Sequence, residues 1–241
     1  EIRIGDWSSD VCSSDLVNKG PLEKAQEHIR EEKIGGKIAT RLGNGLAPLE
    51  PGETDTVIIA GMGGDLICKI LKAKPEFLIE GKEFILQPQS EWFKIRRLLK
   101  EYRYQIEKEW FLKEDGKYYV IIKAEPAWTQ PQRLKHQQPS IHEYIKEISD
   151  TQVNQAVSEK DMESIYEQYG KYLIETKNPV LKEYLEKEIT KKESIAAELK
   201  QSIKEIESEE LSGKERGNIA KRQRRYQEIQ KEIRDMRKAI G

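Results

Sequence analysis

Short apolar runs and helical stripes alternate along the middle of this 241-residue chain. Three apolar runs predict strands, at residues 37–42, 56–60 and 84–86. The run at 56–60 is continuous, which is typical of a buried parallel strand. Two stripes at three- and four-residue spacing predict helices after the second and third strands, with apolar faces at Leu66, Ile67, Ile70 and Leu71 and within residues 92–99.

An antiparallel hairpin ends this alternation. Residues 104–112 and 118–124 predict two strands, and Asp115-Gly116 between them is a strong local signal for a tight turn. An amphipathic helix, opened by Pro21 at its first position, precedes the first strand. Strands that alternate with helices and end in a hairpin indicate an α/β domain, which we assign to residues 17–126.

The segments on either side of this domain show no such pattern. Residues 1–16 have neither helical nor strand periodicity, so we do not assign them to the fold. They resemble the translation of a sequencing adapter, and a flexible Ser/Asp-rich leader is the alternative interpretation. Residues 127–169 are poor in apolar residues where they contain Pro131 and Pro139, which predicts a linker or surface insertion.

Residues 170–241 predict a helical hairpin with a coiled-coil seam. Apolar residues recur at three- and four-residue steps in two runs that Ser212-Gly213 separates. Each stripe is narrow and needs a partner, so we expect two antiparallel helices. The seam residues are Leu181, Leu185, Ile189, Ala196, Leu199, Ile203 and Ile206 in the first helix and Ile219, Tyr226, Ile229, Ile233, Met236 and Ile240 in the second.

Composition narrows the function classes. Charged residues make up 35% and hydrophobic residues 37% of the chain, and its formal net charge is −1, which indicates solvated helices beside a local core. Cys12 and Cys68 have no CxxC or His-rich spacing, so we predict no disulfide framework, no metal and a reducing cytoplasm. No run of 18 apolar residues predicts a membrane span. Nothing in the sequence requires an oligomer.

Two glycine motifs follow predicted strands and are candidates for ligand binding. In Gly61-Met62-Gly63-Gly64, glycine either lets backbone N–H groups approach a ligand at the carboxyl end of the sheet or only turns the chain. In Gly43-Asn44-Gly45, the amide side chain either pairs with an adenine edge or belongs to an ordinary Asn-Gly turn. Each motif alone leaves both interpretations open.

Five segments, taken together and in order, closely resemble the TrmK family of tRNA methyltransferases, which are specific for N1 of adenine at position 22. These segments are Asn18–Ala25, Arg41–Leu46, Ile59–Gly64, Ile85–Pro88 and Glu114–Tyr118. The resemblance runs from Val17 to about Ala124 and continues loosely to Gly241 as the family's coiled-coil domain. It implies a Rossmann-type class I methyltransferase sheet, S-adenosylmethionine as cofactor and tRNA as partner.

The resemblance also implies roles for individual residues. It assigns cofactor binding to Val17, Asn18, Gly43, Asn44, Gly45, Ala60 and Gly61. It assigns the pocket of the target adenine to Gly61, Met62, Gly63, Gln87 and Pro88. Family members often have Asp where this chain has Asn44, and Gln89 replaces a common Asn. N1 of adenine carries an in-plane lone pair, so we expect the protein to position the reactants and exclude water rather than supply a general base.

Two elements of the family have no counterpart in this sequence. One is the Asp-Ile-Gly type of loop that holds the methionine part of the cofactor, and the other is the carboxylate for its ribose, whose place falls on or before Leu16. We therefore expect a truncated N-terminus and a 241-residue chain that is inactive in methyl transfer. The alternative is a non-catalytic RNA-binding or interaction protein.

The last predicted helix is rich in cations, whereas the helix before it is net acidic. A basic stripe is suited to phosphate contacts with RNA, but its cations can also pair with the acidic helix. We expect both, with pairing on the inner flank of the helix and RNA binding on the outer one. The candidate RNA-binding residues are Lys221, Arg222, Arg224, Arg225, Lys231 and Arg234.

Overall fold

The computed structural model describes residues 10–12, 19–50, 52–127, 157–207 and 213–241. The chain divides into two compact units. We call residues 1–108 and 121–152 the sheet unit, and residues 109–120 and 153–241 the helical unit. The tip of the predicted hairpin therefore groups with the helices, although the sequence pattern places it in the α/β domain.

The sheet unit contains the predicted alternation of strands and helices. Its elements are β1 (Asp10–Cys12), α1 (Lys19–Glu31), β2 (Ile38–Thr40), β3 (Thr56–Met62), α2 (Gly64–Ala73), α3 (Pro75–Ile79), β4 (Glu83–Pro88), α4 (Trp92–Glu101), β5 (Tyr104–Glu114) and β6 (Lys117–Pro126). A mixed sheet has the order β3-β4-β6-β5, with β3 parallel and β6 antiparallel to β4, while β1 and β2 form a separate parallel pair. Asp115 and Gly116 both have positive φ, as the predicted Asp-Gly turn requires.

One face of β3 packs into the core of the sheet unit. Val57 and Ile59 are buried, whereas Ile58 between them is 58% exposed. The prediction of a fully buried strand is therefore wrong within the described residues, because successive side chains of a strand point to opposite faces and only the face of Val57 and Ile59 is covered. The predicted apolar face of α2 is also narrower than expected. Ile67, Ile70 and Leu71 are buried, but Leu66 is exposed.

Three local features of the sheet unit differ from the sequence prediction. Helix α1 begins at Lys19, so Pro21 is its third residue rather than its first. The first four N–H groups of a helix have no acceptor within it, so proline fits throughout the first turn. Asp10–Cys12 pair with Ile38–Thr40 although their sequence predicts no element, because three residues joined by backbone hydrogen bonds need no side-chain periodicity. Helix α3 is short and was not predicted.

The backbone segments that follow β3 and β4 are fastened to each other. The N–H of Gln89 donates to the carbonyl of Met62 at 2.8 Å, and the N–H of Gly64 donates to the carbonyl of Ser90 at 2.9 Å. A Cβ atom at Gly64 would lie 2.6 Å from the carbonyl oxygen of Glu91. Glycine at this position is therefore required by the close approach of two backbones. The first N–H of α2 faces the neighbouring loop rather than a ligand.

Charged side chains reinforce the same junction. Lys94 Nζ lies 2.9 Å from Asp65 Oδ1 and 2.5 Å from Glu91 Oε1, and Lys69 Nζ lies 2.8 Å from Asp65 Oδ2. Hydrogen bonds from Lys69 and Lys94 lower the pKa of Asp65 to about 2, and Lys94 also lowers the pKa of Glu91. Glu91 has a φ of 54°, a left-handed conformation that these contacts stabilise.

The helical unit contains two long helices that pack in antiparallel order. Its helices are α5 (Val157–Tyr169), α6 (Lys171–Glu175), α7 (Pro179–Glu207) and α8 (Gly213–Ile240). Lys192 and Arg237 form ion pairs from one long helix to the other, with Glu232 and Glu193 respectively. Most predicted seam residues are buried, while Leu199, Tyr226 and Ile240 are half-buried, and the side chain of Ile206 lies outside the described part of the structure. None of the helices in the described segments has the length and apolar character of a membrane span.

Helix α5 lies inside the segment predicted as a linker. Its Ile165 is buried, and α5 contacts both α6 and α8. Residues 128–156, the rest of that predicted linker, lie outside the described residues. The tip of the β5–β6 hairpin also belongs to this unit, where the rings of Phe111, Tyr118 and Tyr184 lie 5.0–5.8 Å apart. Aromatic packing therefore joins the hairpin tip to α7.

We predict that Gly64→Ala lowers the free energy of unfolding by about 1–3 kcal/mol, because the added methyl group forces two backbone segments apart. Urea denaturation followed by circular dichroism measures the change. Gly36→Ala is the matched control, because its added Cβ has no heavy atom of the described segments within 4 Å. The control should change the free energy by less than about 0.5 kcal/mol. Equal effects of the two substitutions would contradict the prediction.

We predict that the Lys94 ion pairs stabilise the fold only when Asp65 and Glu91 are ionised. The folded-state pKa of Asp65 is lowered from 3.8 to about 2, so its contribution is complete above about pH 4 and is lost as the pH falls towards 2. Lys94→Met should therefore lower the urea midpoint at pH 6, and the difference from the unmodified chain should shrink below pH 4. Lys24→Met, at an exposed position on α1, is the control. A difference that is independent of pH would refute this explanation.

Candidate functional site

The carboxyl ends of β3 and β4 bring together the residues predicted to surround the target base. These residues are Gly61, Met62, Gly63, Gln87 and Pro88. Met62 pairs with Pro88 in the register of the two strands, and the register shifts between Ala60 and Met62. The predicted loop from Ala60 to Gly64 is therefore mostly strand, with a bulge at Gly61, where φ is 83°. Only Gly63 separates β3 from α2.

One side-chain hydrogen bond joins the two strand ends. The N–H of Gly61 donates to Gln87 Oε1 at 2.9 Å. The other end of the same amide, Nε2, is buried and has no hydrogen-bond partner among the described residues. Within the described part of the chain, no heavy atom lies within 4 Å of a Cβ built at Gly61. The site therefore combines open space with a nearby buried donor, at the edge where doubly wound sheets bind ligands.

The Gly43-Asn44-Gly45 motif packs against its own loop and against α2. A Cβ at Gly43 would lie 2.6 Å from the ring of Pro48, and a Cβ at Gly45 would lie 2.7 Å from Ile70 Cγ2. Gly45 also has a φ of 55°, and the N–H of Ala47 donates to the carbonyl of Asn44 at 3.1 Å. Both glycines are thus explained by packing and by the turn. The residue Asn44 is exposed, and its role in cofactor binding remains a prediction.

Arg41 fixes the loop that carries this motif, a role that the sequence pattern does not predict. Its guanidinium donates to both carboxylate oxygens of Glu53, at 2.6 and 2.9 Å, and to the carbonyl of Pro48 at 3.0 Å. The hydrogen bond from Arg41 lowers the pKa of Glu53 to about 2. Arginine suits this position because its planar group can hold a carboxylate in two hydrogen bonds. The partner lies twelve residues away, so spacing alone gave no signal.

Three carboxylates on the sheet lie close enough together to hold a metal ion. They belong to Glu83, Glu107 and Glu125, whose oxygens lie within 4.8 Å of one another. Lys123 Nζ lies among them, 2.6–3.1 Å from each. The three hydrogen bonds raise the pKa of Lys123, and Lys123 lowers the pKa of Glu107. We therefore interpret the cluster as an ion-pair network with lysine in the position of a cation.

The predicted RNA-binding residues of α8 fall into two groups. Arg222 donates to Ser202 on α7, and Arg225 pairs with Glu228 at 3.1 Å and with Glu232 at 3.3 Å. The other four are exposed and form no ion pair within the described part of the chain: Lys221, Arg224, Lys231 and Arg234. At 100° per residue, Arg224 and Lys231 point roughly opposite to the buried Ile229 and Ile233. The helix therefore separates paired cations from free ones.

A cavity of about 350 Å³ in the helical unit was not predicted. Side chains from α5, α7 and α8 line it, among them Tyr169, Tyr184, Glu188, Lys192 and Asp235. Burial raises the pKa of both tyrosines. Lys192 pairs with Glu232 in the lining. The cavity shares no residue with the set predicted to surround the target base. Val17 and Asn18, predicted to bind the cofactor, lie outside the described residues.

Comparison with known proteins gives one consistent family. The family model for TrmK, tRNA (adenine(22)-N(1))-methyltransferase, matches residues 6–168. The match thus begins inside the segment that the sequence analysis leaves outside the fold. A Bacillus subtilis tRNA (adenine(22)-N(1))-methyltransferase is 32% identical over 170 residues, which cover 57% of this chain and 70% of that relative.

Solved structures share the fold. The B. subtilis M1A22 tRNA methyltransferase TrmK gives a TM-score of 0.65 at 23% identity, over 97% of this chain and 82% of that chain. A Streptococcus pneumoniae protein in complex with S-adenosyl-L-methionine gives 0.61 at 22% identity, over 97% and 81%. These likenesses confirm the Rossmann-like methyltransferase fold. Because the family model spans well over half of the chain, and the Bacillus relative is matched over more than two thirds of its length, the chain belongs to the TrmK family of tRNA (adenine(22)-N(1))-methyltransferases.

Proposed function

We propose that the reaction of this protein is methyl transfer from S-adenosylmethionine to N1 of adenine 22 in tRNA, and that the 241 residues alone do not carry it out without the family's cofactor loop. The observation that carries the proposal is the meeting of Gly61 and Gln87 at the carboxyl ends of β3 and β4, with a buried donor on Gln87 and open space beside Gly61. Family membership supports the reaction. A Mycoplasma capricolum TrmK in complex with S-adenosyl-homocysteine and the Streptococcus complex with S-adenosyl-L-methionine support the cofactor.

The reaction requires little acid–base chemistry from the protein. S-adenosylmethionine, when bound, supplies a methyl group already activated by its sulfonium. The N1 lone pair of adenine forms the new N–C bond while the S–C bond breaks, so the positive charge moves from sulfur to the base. No proton has to leave N1. The contribution of the site is to hold an unstacked adenine in line and to exclude water, which is worth about 7–11 kcal/mol in well-oriented cases.

Among the residues assigned to cofactor binding, those that the structure describes fit this role. Ala60 and Gly61 are exposed at the end of β3, and the exposed Asn44 can present its amide to an adenine edge. Gly43 lets the turn that carries Asn44 pack against Pro48, and Gly45 lets it pack against Ile70 of α2. The predicted cofactor-binding set also includes Val17 and its neighbour Asn18.

The helical unit supplies a basic surface suited to tRNA in this proposal. The four exposed cations of α8, Lys221, Arg224, Lys231 and Arg234, span about 20 Å of helix axis. We assign the pairing role to Arg222 and Arg225 instead, because each contacts a described side chain. We also propose that α7 and α8 form the coiled-coil domain of the family. A tRNA substrate places the protein in the cytoplasm.

We predict that the exposed cations contribute salt-dependent affinity for tRNA. Arg224→Gln and Lys231→Gln should each weaken binding several-fold and lower the slope of log affinity against log salt by about 0.9, because each removes one phosphate contact. Fluorescence anisotropy between about 50 and 200 mM salt measures both quantities.

Arg237→Gln is the matched control for these variants. It removes the same charge from the same helix, but Arg237 is paired with Glu193 on α7, at 2.5 Å. Its slope should stay close to that of the unmodified chain. If all three substitutions change the slope equally, the outer face of α8 has no special role in tRNA binding.

We predict that methyl transfer depends on the cofactor loop that this sequence lacks. The 241-residue chain should give no measurable heat with S-adenosylmethionine in calorimetry, and micromolar binding would overturn that expectation. A chimera in which residues 1–18 are replaced by the matching segment of the Bacillus relative should methylate adenine 22, detected by mass spectrometry of the tRNA. A folded chimera that binds the cofactor and tRNA without methyl transfer would favour the alternative, a non-catalytic RNA-binding protein.

A further inference from the structure

We propose that Gln87 positions the target adenine by donating a hydrogen bond from Nε2 to a ring nitrogen of the base. This inference rests on the proposed function and deepens it, because it names the protein atom that holds the base and the kind of base atom that it meets. Gln87 is assigned as a positioning residue, since the transferred methyl group goes to a different nitrogen.

The orientation of the Gln87 amide is fixed by Gly61. Its Oε1 accepts the Gly61 N–H at 2.9 Å, so turning the amide over would set two donors against each other. The NH₂ group is therefore the end that remains available. It is buried and has no partner among the described residues. Buried donors are nearly always paired in folded proteins, so an acceptor is expected to meet Nε2 once an entering base displaces the groups that cover it.

Space for a base lies beside Gly61, the residue whose N–H holds Gln87 Oε1. No heavy atom of the described residues lies within 4 Å of a Cβ built at Gly61, and its φ of 83° makes a side chain unfavourable at this position. Gly61 is exposed, whereas Pro88, the register partner of Met62, is buried. The bulge thus leaves the backbone of Gly61 exposed at the ends of two strands. A flat base can approach this backbone closely.

The chemistry of adenine restricts the contact to two atoms. Its acceptors are N1, N3 and N7, and its exocyclic amino group is a donor. N1 must keep its lone pair free for the methyl group, and a donor on Gln87 cannot serve the amino group. The acceptor for Nε2 is therefore N3 or N7.

The experiment measures the affinity of the full 241-residue chain for tRNA transcripts that carry adenine, 3-deazaadenine or 7-deazaadenine at position 22. One analogue should bind about three- to tenfold more weakly than adenine, as expected for one lost hydrogen bond. Gln87→Glu keeps an oxygen for the Gly61 N–H but loses the donor at pH 8. It should weaken binding of the adenine transcript by a similar factor, and the sensitive analogue should then cause no further loss.

Gln105→Glu is the control, because it makes the same chemical change at an exposed position of β5. It should leave all three affinities unchanged. Two results overturn the inference: equal binding of both analogues and adenine, or an analogue penalty that persists in Gln87→Glu. The analogue measurements on the unmodified chain do not depend on the folding of any variant. A transcript with guanine at position 22 separates the two proposals. If the unmodified chain binds it as tightly as the adenine transcript, the result counts against the proposed function. If the chain prefers adenine but the analogue penalty is the same in Gln87→Glu, the result counts against the role of Gln87 alone.

Discussion

The candidate site depends on the close approach of two backbone segments, the ones that follow β3 and β4. Gly64 permits this approach because the carbonyl oxygens of Ser90 and Glu91 occupy the space that a Cβ would need. Once the segments are joined, Met62 and Pro88 stay in register, and the end of β3 is held beside the end of β4. The amide of Gln87 can then reach the Gly61 N–H without any flexible loop between them. The position of the site residues thus depends on how closely the two backbone segments pack.

Much of the fold could be predicted from the sequence because its signals are local. The Asp115-Gly116 turn needs only two residues with positive φ, and the seam of α7 and α8 is visible in the spacing of apolar residues. The errors in the predicted fold also arose from local signals in the sequence. Ile58 belongs to an apolar run, but its burial depends on which face is covered. Helix α5 was not predicted, because it lies in a segment whose proline-containing part indicated a linker.

The site was harder to predict than the fold, since it depends on contacts between distant residues. Glycine serves tight turns, close approaches and ligand contacts alike, so sequence alone could not distinguish Gly61 from Gly64. The structure separates them, with open space at the first and a neighbouring backbone at the second. Likewise, the cations of α8 are similar in the sequence. Only the packing of α7 against α8 distinguishes Arg237, which is paired across the helices, from Arg224, which has no ion pair in the described segments.

The sorting of charge on α8 has a consequence that the net charge conceals. The formal charge of −1 is a sum over the whole chain, but the carboxylates of Glu193, Glu228 and Glu232 are partly neutralised by nearby cations. The uncompensated positive charge of α8 is thereby concentrated on one side of a helix. Such a helix has an electric moment across its axis. It would turn one face towards a polyanion while the molecule as a whole stays close to electroneutral, which limits indiscriminate attraction to other nucleic acids.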